Sequence, residues 1–349
     1  MKILGSAIFM ILTVSSLAWA QSGKPVSLAE LAAYTGAEPP SGRKPEKGHL
    51  EVAIAATGPL YLPLLLAQEA GYFSRRGLTL SITQVSATAS TQALVSGKVD
   101  IYQGGAAAIT ANLAGTDIIY VAAAVDRSTL ALFGQKGLTS FENLRGKSVA
   151  TTSPGAFGEI AVRRTAKEHG MEVGKEIKLL YHRSTQEALA TFLAGNADGL
   201  VITPPQSDIA RNKGYPVIVD YYERGLRIIG PGMAVTREFS QKHPNTLKAY
   251  LMAYLDGVKR SIEDPSFAMK VHTKHNRISD PKVLEQSYQQ GVKVWNKDMT
   301  VDPGAIRVVL EESAHPRAKE ADPKRFYDNS IIQEVNRDYA SKLFPGEVK

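Results

Sequence analysis

The chain has 349 residues, of which 44% are hydrophobic and 21% charged, a composition typical of a globular protein with about two domains. It contains no cysteine, which excludes disulfide scaffolds, cysteine zinc sites, iron–sulfur clusters and cysteine nucleophiles. The formal net charge is +7, but the basic residues are scattered along the chain, which argues against a nucleic-acid-binding protein.

The N-terminus has the layout of a secretory signal. Lys2 provides a positive start, residues 3–17 carry no charge, and Ala18-Trp19-Ala20 places small residues at a cleavage site. The alternative is a retained membrane anchor, but the apolar run falls at or below the ~20 residues that a membrane-spanning helix needs. We therefore predict a cleaved signal peptide at 1–20 and a periplasmic mature protein. Residues 21–47, punctuated by prolines, are predicted to form a flexible leader.

From residue 50, short apolar runs alternate with longer stretches of helical period. The predicted elements are strands at 50–55, 78–85 and 99–102 and helices at 62–70 and 92–96. A polar loop is predicted at 86–91, before the second helix. Strands that alternate with helices indicate a mostly parallel sheet with helices on its faces.

The same order of elements returns further along the chain. The predicted elements are strands at 148–152 and 177–181, helices at 160–169 and 188–194, and a strand entered through 195–202. Gly97 and Asp100 match Gly195 and Asp198 at a constant offset of 98 residues, and Gly58 and Gly155 lie 97 apart. Gly-x-x-Asp is a common passage from helix to strand, but its repetition in the same order of elements favours two similarly built lobes.

The connections between the two lobes follow from the remaining apolar runs. A strand at 120–125 leaves the first lobe, and strands at 217–222 and 228–235 lead back to it. Lobe 1 is therefore predicted to comprise 48–125 plus 228–349, and lobe 2 to comprise 126–227. The stretch 241–345 is helical by period, with helices predicted to begin at Pro244, Pro265, Pro281, Pro303 and Pro323.

Small and hydroxyl residues follow the predicted strands. In open α/β sheets, ligands bind at the carboxyl ends of the strands, where helix N-termini offer unpaired N–H groups and a partial positive charge. These loops are Thr57-Gly58-Pro59, Thr88 to Thr91, Gly104-Gly105, Thr151 to Gly155, Ser184-Thr185 and Thr203-Pro204. Such residues are also what caps and turns prefer, so the prediction of an anion-binding cleft depends on the convergence of all six loops.

Several segments give the chain a family resemblance. They are Pro63 to Phe73 with Gly77-Leu78, Gln92 to Ile101, Gly115 to Ile118, Leu144 to Ala150 and Ala194 to Gly199. Over about residues 48–260 the chain resembles type 2 periplasmic solute-binding proteins of ABC transporters, in the branch that includes nitrate, sulfonate, taurine and thiamine-precursor proteins. The resemblance implies an α/β fold of two lobes, mostly parallel sheets flanked by helices, and a two-strand hinge.

The resemblance also implies a site between the lobes. The ligand-binding residues it predicts are Thr57, Gly58, Tyr61, Thr88, Ser90, Gly104, Gly105, Ser153, Gly155, Phe157 and Thr203. Tyr61 and Phe157 would favour a ligand with an apolar or aromatic part, unless they serve ordinary packing. The implied function is a monomeric receptor that captures a small, anionic organic solute and passes it to a membrane permease, without a cofactor, a metal or catalysis.

Two other functions remain open from the residues. Related folds include enzymes that act on thiamine-type or menaquinone-type precursors, and a binding protein can also feed a sensor. His272 and His275 have a helical spacing that suits a metal, although no third ligand is apparent, and His182 would be the candidate base. The chain has neither a Gly-x-Ser-x-Gly elbow nor a Walker loop.

Overall fold

The computed structural model describes residues 44–348. The predicted signal peptide at 1–20 and the leader up to residue 43 lie outside the described residues. The last residues of the predicted leader contact the folded body. Glu46 accepts hydrogen bonds from the backbone N–H groups of Asn245 and Thr246, at 3.0 and 2.8 Å, and Lys47 pairs with Asp100 at 2.7 Å.

The described residues form ten strands and a larger number of helices. The strands are β1 His49–Ile54, β2 Thr79–Gln84, β3 Ile101–Gly104, β4 Ile118–Ala123, β5 Ala131–Gly134, β6 Lys147–Thr151, β7 Ile177–Tyr181, β8 Gly199–Ile202, β9 Val217–Asp220 and β10 Gly232–Thr236. The helices are α1 Leu62–Glu69, α2 Ala87–Val95, α3 Ala107–Leu113, α4 Phe157–Glu168, α5 Thr185–Leu193, α6 Gln206–Asn212, α7 Arg237–Lys242, α8 Pro244–Glu263, α9 Pro265–Asn276, α10 Pro281–Val292, α11 Pro303–Glu312, α12 Ser330–Val335 and α13 Ser341–Leu343.

The strands form two five-stranded sheets of the same topology. The first sheet has the order β2-β1-β3-β10-β4 and the second the order β7-β6-β8-β5-β9. In each sheet the first three strands pair in parallel, while the fourth, β10 or β5, is antiparallel to both of its neighbours. Four of five strands therefore run in one direction, which confirms the predicted α/β class with two mostly parallel sheets.

The repeated Gly-x-x-Asp segments have the same structural role in both sheets. Gly97 and Gly195 have φ angles of 71° and 77°, the left-handed conformation that glycine adopts without steric cost after a helix. Asp100 accepts the backbone N–H of Glu51 at 3.0 Å, and Asp198 accepts that of Ser148 at 2.9 Å. Each aspartate thus links the start of one strand to its neighbour, because a carboxylate can satisfy an N–H group that the ladder leaves unpaired.

Gly58 and Gly155, the other predicted match, differ in conformation. Gly155 has a φ angle of 73°, whereas Gly58 has a φ angle of −60° and an extended ψ of −176°. The two glycines therefore match in sequence position but not in backbone conformation, and each has its own role in the loop that contains it.

The helices of the C-terminal region begin at the prolines that the sequence indicates. Helices α8, α9, α10 and α11 start at Pro244, Pro265, Pro281 and Pro303, and Pro323 opens a 3₁₀ turn. Four of these prolines follow an aspartate whose side chain accepts a backbone N–H of the first turn; the aspartates are Asp264, Asp280, Asp302 and Asp322. Helix α8 is preceded by His243, which makes no such bond, and the carboxylate of Glu46 takes its place.

The predicted loop at 86–91 is the main local error of the sequence analysis. Helix α2 begins at Ala87, five residues before the predicted start, because the Ser86 side chain accepts the backbone N–H of Ala89 at 3.3 Å. A serine followed by small residues is also typical of a loop, so the helix start was not recognised. Strand β5 and helices α3 and α6 were not predicted either.

The buried residues divide between the two sheets. The cluster under the first sheet combines Ala53 and Tyr102 with residues from the C-terminal region, such as Ile306 and Phe326. The cluster under the second sheet, which includes Phe133 and Phe192, contains residues between 131 and 217. The domain boundaries at 126 and 227 stay a prediction. Within residues 44–348, no helix is both long enough and apolar enough to cross a membrane.

Candidate ligand-binding cleft

A cavity of about 160 Å³ lies between loops that follow strands of the two sheets. From the side of the first sheet it is lined by Ala55, Leu60, Tyr61, Gln84, Tyr102 and Gly105, among others. From the side of the second sheet it is lined by Thr129, Leu130, Thr151, Ser153, Phe157, Arg183, Thr185 and Thr203, among others. Ile228, Gly230 and Pro231, in the segment that leads back to the first sheet, complete its wall. The lining thus combines aromatic and aliphatic surface with hydroxyl groups.

A smaller chamber adjoins this cavity. It measures about 20 Å³, roughly the space of one water molecule, and shares Ala56, Leu60, Tyr61, Gln84, Thr185 and Thr203 with the larger one. Its other walls are uncharged polar groups and backbone, including Thr57, Gln186, Gln206 and Asn276. The cleft therefore has a larger, partly aromatic space and a small polar one beside it.

Seven of the eleven predicted ligand-binding residues line these spaces. Tyr61, Gly105, Ser153, Phe157 and Thr203 line the larger cavity, while Thr57 and Gly58 line the smaller chamber. The aromatic rings of Tyr61 and Phe157 thus lie at the cavity. Whether these residues contact a ligand stays a prediction.

Thr88, Ser90, Gly104 and Gly155 do not line either space. Thr88 and Ser90 belong to helix α2 instead of a loop; Thr88 is exposed, and the buried Ser90 hydroxyl donates to the Ser86 carbonyl at 3.0 Å. Gly104 ends β3, where a Cβ would lie 2.1 Å from the Tyr102 ring, so it is required for packing. Gly155 donates its N–H to Glu159 at 2.9 Å and shapes the turn before α4.

Gly58 and Gly105 are the points at which loops of the two sheets touch. A Cβ on Gly58 would lie 2.8 Å from the carbonyl oxygen of Pro204, and a Cβ on Gly105 would lie 2.7 Å from the ring of Phe157. Close approach of a ligand is the expected role of glycines in such loops. In the structure the absent side chains allow close approach of the opposite loop.

Two buried hydroxyl groups in the cavity wall are not among the eleven predicted ligand-binding residues. The Oγ1 atoms of Thr129 and Thr151 have no hydrogen-bond partner among the described residues, although the two side chains are 6% and 0% exposed. Leaving a buried hydroxyl unpaired costs about 1–3 kcal/mol, so such groups in a cavity wall are suited to pair with a ligand. Thr151 ends β6 and begins one of the six predicted loops, whereas Thr129, which lies between β4 and β5, has no distinctive local pattern.

The charge of the lining is positive. Among the described residues that line the cavity, Arg183 is the only charged one, and it is exposed at the edge of the space. Ser184 and Thr185 follow it at the N-terminus of α5, where Ser184 caps the N–H of Glu187 and the first turn carries a partial positive charge. Burial raises the pKa of the Tyr61 and Tyr102 hydroxyls above 10, so both remain neutral near pH 7. The electrostatics of the lining therefore favour an anionic group.

The histidines of the alternative hypotheses make other contacts. His182 lies outside the lining and contacts the Thr151 carbonyl with Nδ1, at 3.1 Å, and the Thr191 hydroxyl with Nε2, at 2.8 Å. Buried His272 contacts Ser287, whereas His275 lies 3.2 Å from Glu69. Between residues 44 and 348, no group of three or more histidine, aspartate or glutamate side chains is arranged to hold a metal ion.

The protein has two mixed sheets with flanking helices. This arrangement is the periplasmic-binding-protein fold, which defines the structural class of the protein. The alkanesulfonate-binding protein SsuA from Xanthomonas axonopodis pv. citri, bound to MOPS, is similar with a TM-score of 0.66 and 19% identity, over 80% of this chain and 96% of that one. The nitrate-binding protein NrtA from Synechocystis PCC 6803 is similar with a TM-score of 0.69 and 13% identity, over 87% and 93% of the two chains. The chain belongs to the NMT1/THI5-like family, whose model matches residues 59–268.

The curated relatives that match the sequence are yeast proteins. The 4-amino-5-hydroxymethyl-2-methylpyrimidine phosphate synthase THI12 of Saccharomyces cerevisiae is 29% identical over 119 residues, which are 33% of this chain and 34% of that protein. The chain thus spans about a third of the length of this relative. The synthase of the same name from Schizosaccharomyces pombe is 22% identical over 262 residues, which are 70% of this chain and 74% of that protein.

Proposed function

We propose that the protein is an extracytoplasmic solute-binding receptor that captures a small anionic organic solute and delivers it to an ABC importer. The observation that supports this proposal is the cavity between the two sheets, which has unpaired hydroxyls in its wall and Arg183 as its charged residue. A ligand that contacts both sides stabilises the closed arrangement, because only a difference in affinity between two conformations shifts their equilibrium.

The size and lining of the cavity limit the solute. An apolar cavity of about 150 Å³ is known to hold benzene, so a space of about 160 Å³ suits a body no larger than one ring or a short chain. Tyr61, Phe157 and Leu130 supply the apolar surface for such a body. The Thr129 and Thr151 hydroxyls, Arg183 and the start of α5 supply donors for a sulfonate or carboxylate head.

The likeness to sulfonate-binding and nitrate-binding proteins supports the transport role, as does the predicted signal peptide. The second candidate is an enzyme that acts on a thiamine-type precursor, which the two yeast synthases favour. The described cavity lining contains no histidine, aspartate or glutamate side chain, which are the usual groups for proton transfer near neutral pH. The lining therefore favours binding over turnover.

The test is a ligand screen on the exported protein as the cell processes it. Thermal unfolding is measured with alkanesulfonates, taurine, nitrate, benzoate and benzenesulfonate, with benzamide as a neutral control. A solute present at 100 times its Kd should add about 2.7 kcal/mol to the stability. Arg183→Gln should weaken anion binding about tenfold, the loss of about 1.4 kcal/mol, while the exposed Arg145→Gln should leave it unchanged.

Two results would contradict the receptor proposal. Stabilisation by benzamide as strong as that by the anions would remove the electrostatic argument. The mixture of protein and solute is monitored by NMR over hours. Chemical conversion of the solute would favour the enzyme instead.

A further inference from the structure

Asn276 connects the C-terminal helices to the cleft. It is the last residue of α9 and lines the small polar chamber beside the main cavity. All other residues that line this chamber lie between positions 56 and 206. The chamber therefore depends on one side chain from a distant part of the chain, which the sequence analysis did not single out.

The Asn276 amide holds Thr57 by two hydrogen bonds. Its Oδ1 accepts from the Thr57 hydroxyl at 2.9 Å, and its Nδ2 donates to the Thr57 carbonyl oxygen at 2.6 Å. This cyclic pair fixes both the side chain and the backbone of Thr57. It also directs the Thr57 hydrogen towards Asn276, so Thr57 supports the loop in addition to any contact with a solute.

A buried histidine orients the amide from behind. The second N–H of Asn276 faces His272, whose Nδ1 lies 2.9 Å away and whose carbonyl oxygen lies 3.2 Å away. Nε2 of His272 lies 2.8 Å from the hydroxyl of Ser287 on α10, and both of these side chains are 0% exposed. Burial, with a smaller contribution from His275, lowers the pKa of His272 to about 4. At neutral pH the ring is therefore uncharged, with Nδ1 available to accept from the amide.

The segment held by Asn276 also touches the opposite side of the cleft. Gly58 follows Thr57 and packs against the carbonyl oxygen of Pro204. At the other end of this turn, the indole N–H of Trp295 donates to the carbonyl oxygen of Pro59 at 2.9 Å. The turn is thus fixed at both ends by residues of the C-terminal region.

We propose that Asn276 is a positioning residue of the cleft, which holds the Thr57–Gly58 turn against Pro204 and so stabilises the closed cleft around a solute. The role in solute binding rests on the proposed receptor function. The clamp on the turn does not need a ligand, so it can be tested separately.

The first test measures hydrogen exchange of the unliganded protein. The amides of Tyr61 and Leu62 donate to the carbonyl oxygens of Gly58 and Pro59 in this turn. Asn276→Ala should raise their exchange at least tenfold, because the turn loses two hydrogen bonds. Thr57→Val removes the hydroxyl alone, so it should raise exchange by a smaller factor. The double variant Thr57→Val/Asn276→Ala should exchange no faster than Asn276→Ala. The matched control is Asn212→Ala, which removes another hydrogen-bonded asparagine at the end of a helix. Unchanged exchange of the Tyr61 and Leu62 amides in Asn276→Ala would overturn the proposal.

The second test uses the conservative variant Asn276→Asp and a pH series. At pH 7.5 its carboxylate can still accept from the Thr57 hydroxyl but faces the Thr57 carbonyl oxygen, which loses its donor, so exchange should be faster than in the wild type. The new carboxylate favours the charged form of His272 and so opposes the effect of burial on its pKa. As the pH falls to 5.5 the ring should therefore take up a proton and donate to the carboxylate, and exchange, corrected for the intrinsic rate, should slow at least threefold. His275, Glu69 and Lys274 lie beside this cluster in both variants, so Asn276→Ala is the control for their contribution. Equal pH profiles for the two variants would refute the role of His272.

The third test adds the solute found in the screen. Asn276→Ala should bind it at least tenfold more weakly, chiefly through faster dissociation, while its melting temperature without ligand falls by only a few degrees. Altered exchange with unchanged affinity would overturn the link to solute binding. If the wild-type protein binds none of the solutes, the receptor proposal fails, while the exchange data still decide whether Asn276 positions the turn.

Discussion

The contact of Gly58 with Pro204 gives a sharp test of closure. In Gly58→Ala, the new methyl group would lie 2.8 Å from a backbone carbonyl oxygen of the opposite loop, closer than real Cβ contacts allow. The φ and ψ angles of Gly58, −60° and −176°, are allowed for alanine, so the substitution costs nothing within its own loop. The conflict therefore exists only when the two loops meet.

The expected loss of solute affinity follows from the cost of overpacking. Forcing one methyl group into a packed contact costs about 1–3 kcal/mol. If the whole cost falls on the closed arrangement, affinity for the solute decreases by about 5- to 150-fold. Without ligand, the same variant should be as stable as the wild type or up to about 1 kcal/mol more stable, since alanine restricts the unfolded chain.

The assay is isothermal titration calorimetry together with thermal unfolding of the unliganded protein. The matched control is Gly48→Ala, where a Cβ would lie 3.4 Å from the carbonyl oxygen of Gly77, an ordinary contact. Wild-type affinity in Gly58→Ala would show that the cleft closes without this contact and would refute the reasoning. A large loss of unliganded stability would show that the contact belongs to the fold and not to closure.

Three further predictions concern single residues. Thr151→Val removes a buried hydroxyl without a partner, so the unliganded protein should gain about 1 kcal/mol while solute affinity falls about tenfold, measured by denaturant unfolding and calorimetry. Arg277 has a φ angle of 53°, so Arg277→Gly should stabilise the protein by about 1 kcal/mol, and a loss of stability would contradict this explanation. Partial burial opposes ionisation of Glu46, but the N–H groups of Thr246 and Asn245 outweigh it and lower its pKa to about 2. The Glu46 carboxylate therefore contributes to folding stability above about pH 4.5, and this contribution is lost as the pH falls towards 2. In urea unfolding, Glu46→Ala should cost about 1 kcal/mol at pH 7 and less at pH 3.

The two sheets carry the same ion-pair arrangement at the same point of their topology. Lys47 pairs with Asp100 at 2.7 Å, and Lys147 lies 3.6 Å from Asp198. Each aspartate also receives a backbone N–H from the neighbouring strand. In both sheets the aspartate thus joins two neighbouring strands by the same kind of contacts.

The sequence by itself determined the features that depend on neighbouring residues. The alternation of strands and helices, the glycines after α2 and α5, and the helix starts at proline all follow from local geometry. Proline has a fixed φ angle and no N–H, and the preceding aspartate caps the helix; both effects act within a few residues. This local information sufficed for the α/β class, but not for the segment 86–91, which is helical and not a loop.

The tertiary structure alone decided which side chains meet. Asn276 reaches Thr57 across 219 positions of the chain, and no local pattern indicates such a contact. Thr129 and Thr151 resemble ordinary residues in sequence, and only the packing shows that their hydroxyls are buried without a partner. Ser90, by contrast, was expected in the site, but its hydroxyl is used by the turn before it. Short-range preferences set the elements, whereas burial and pairing depend on how distant segments pack together.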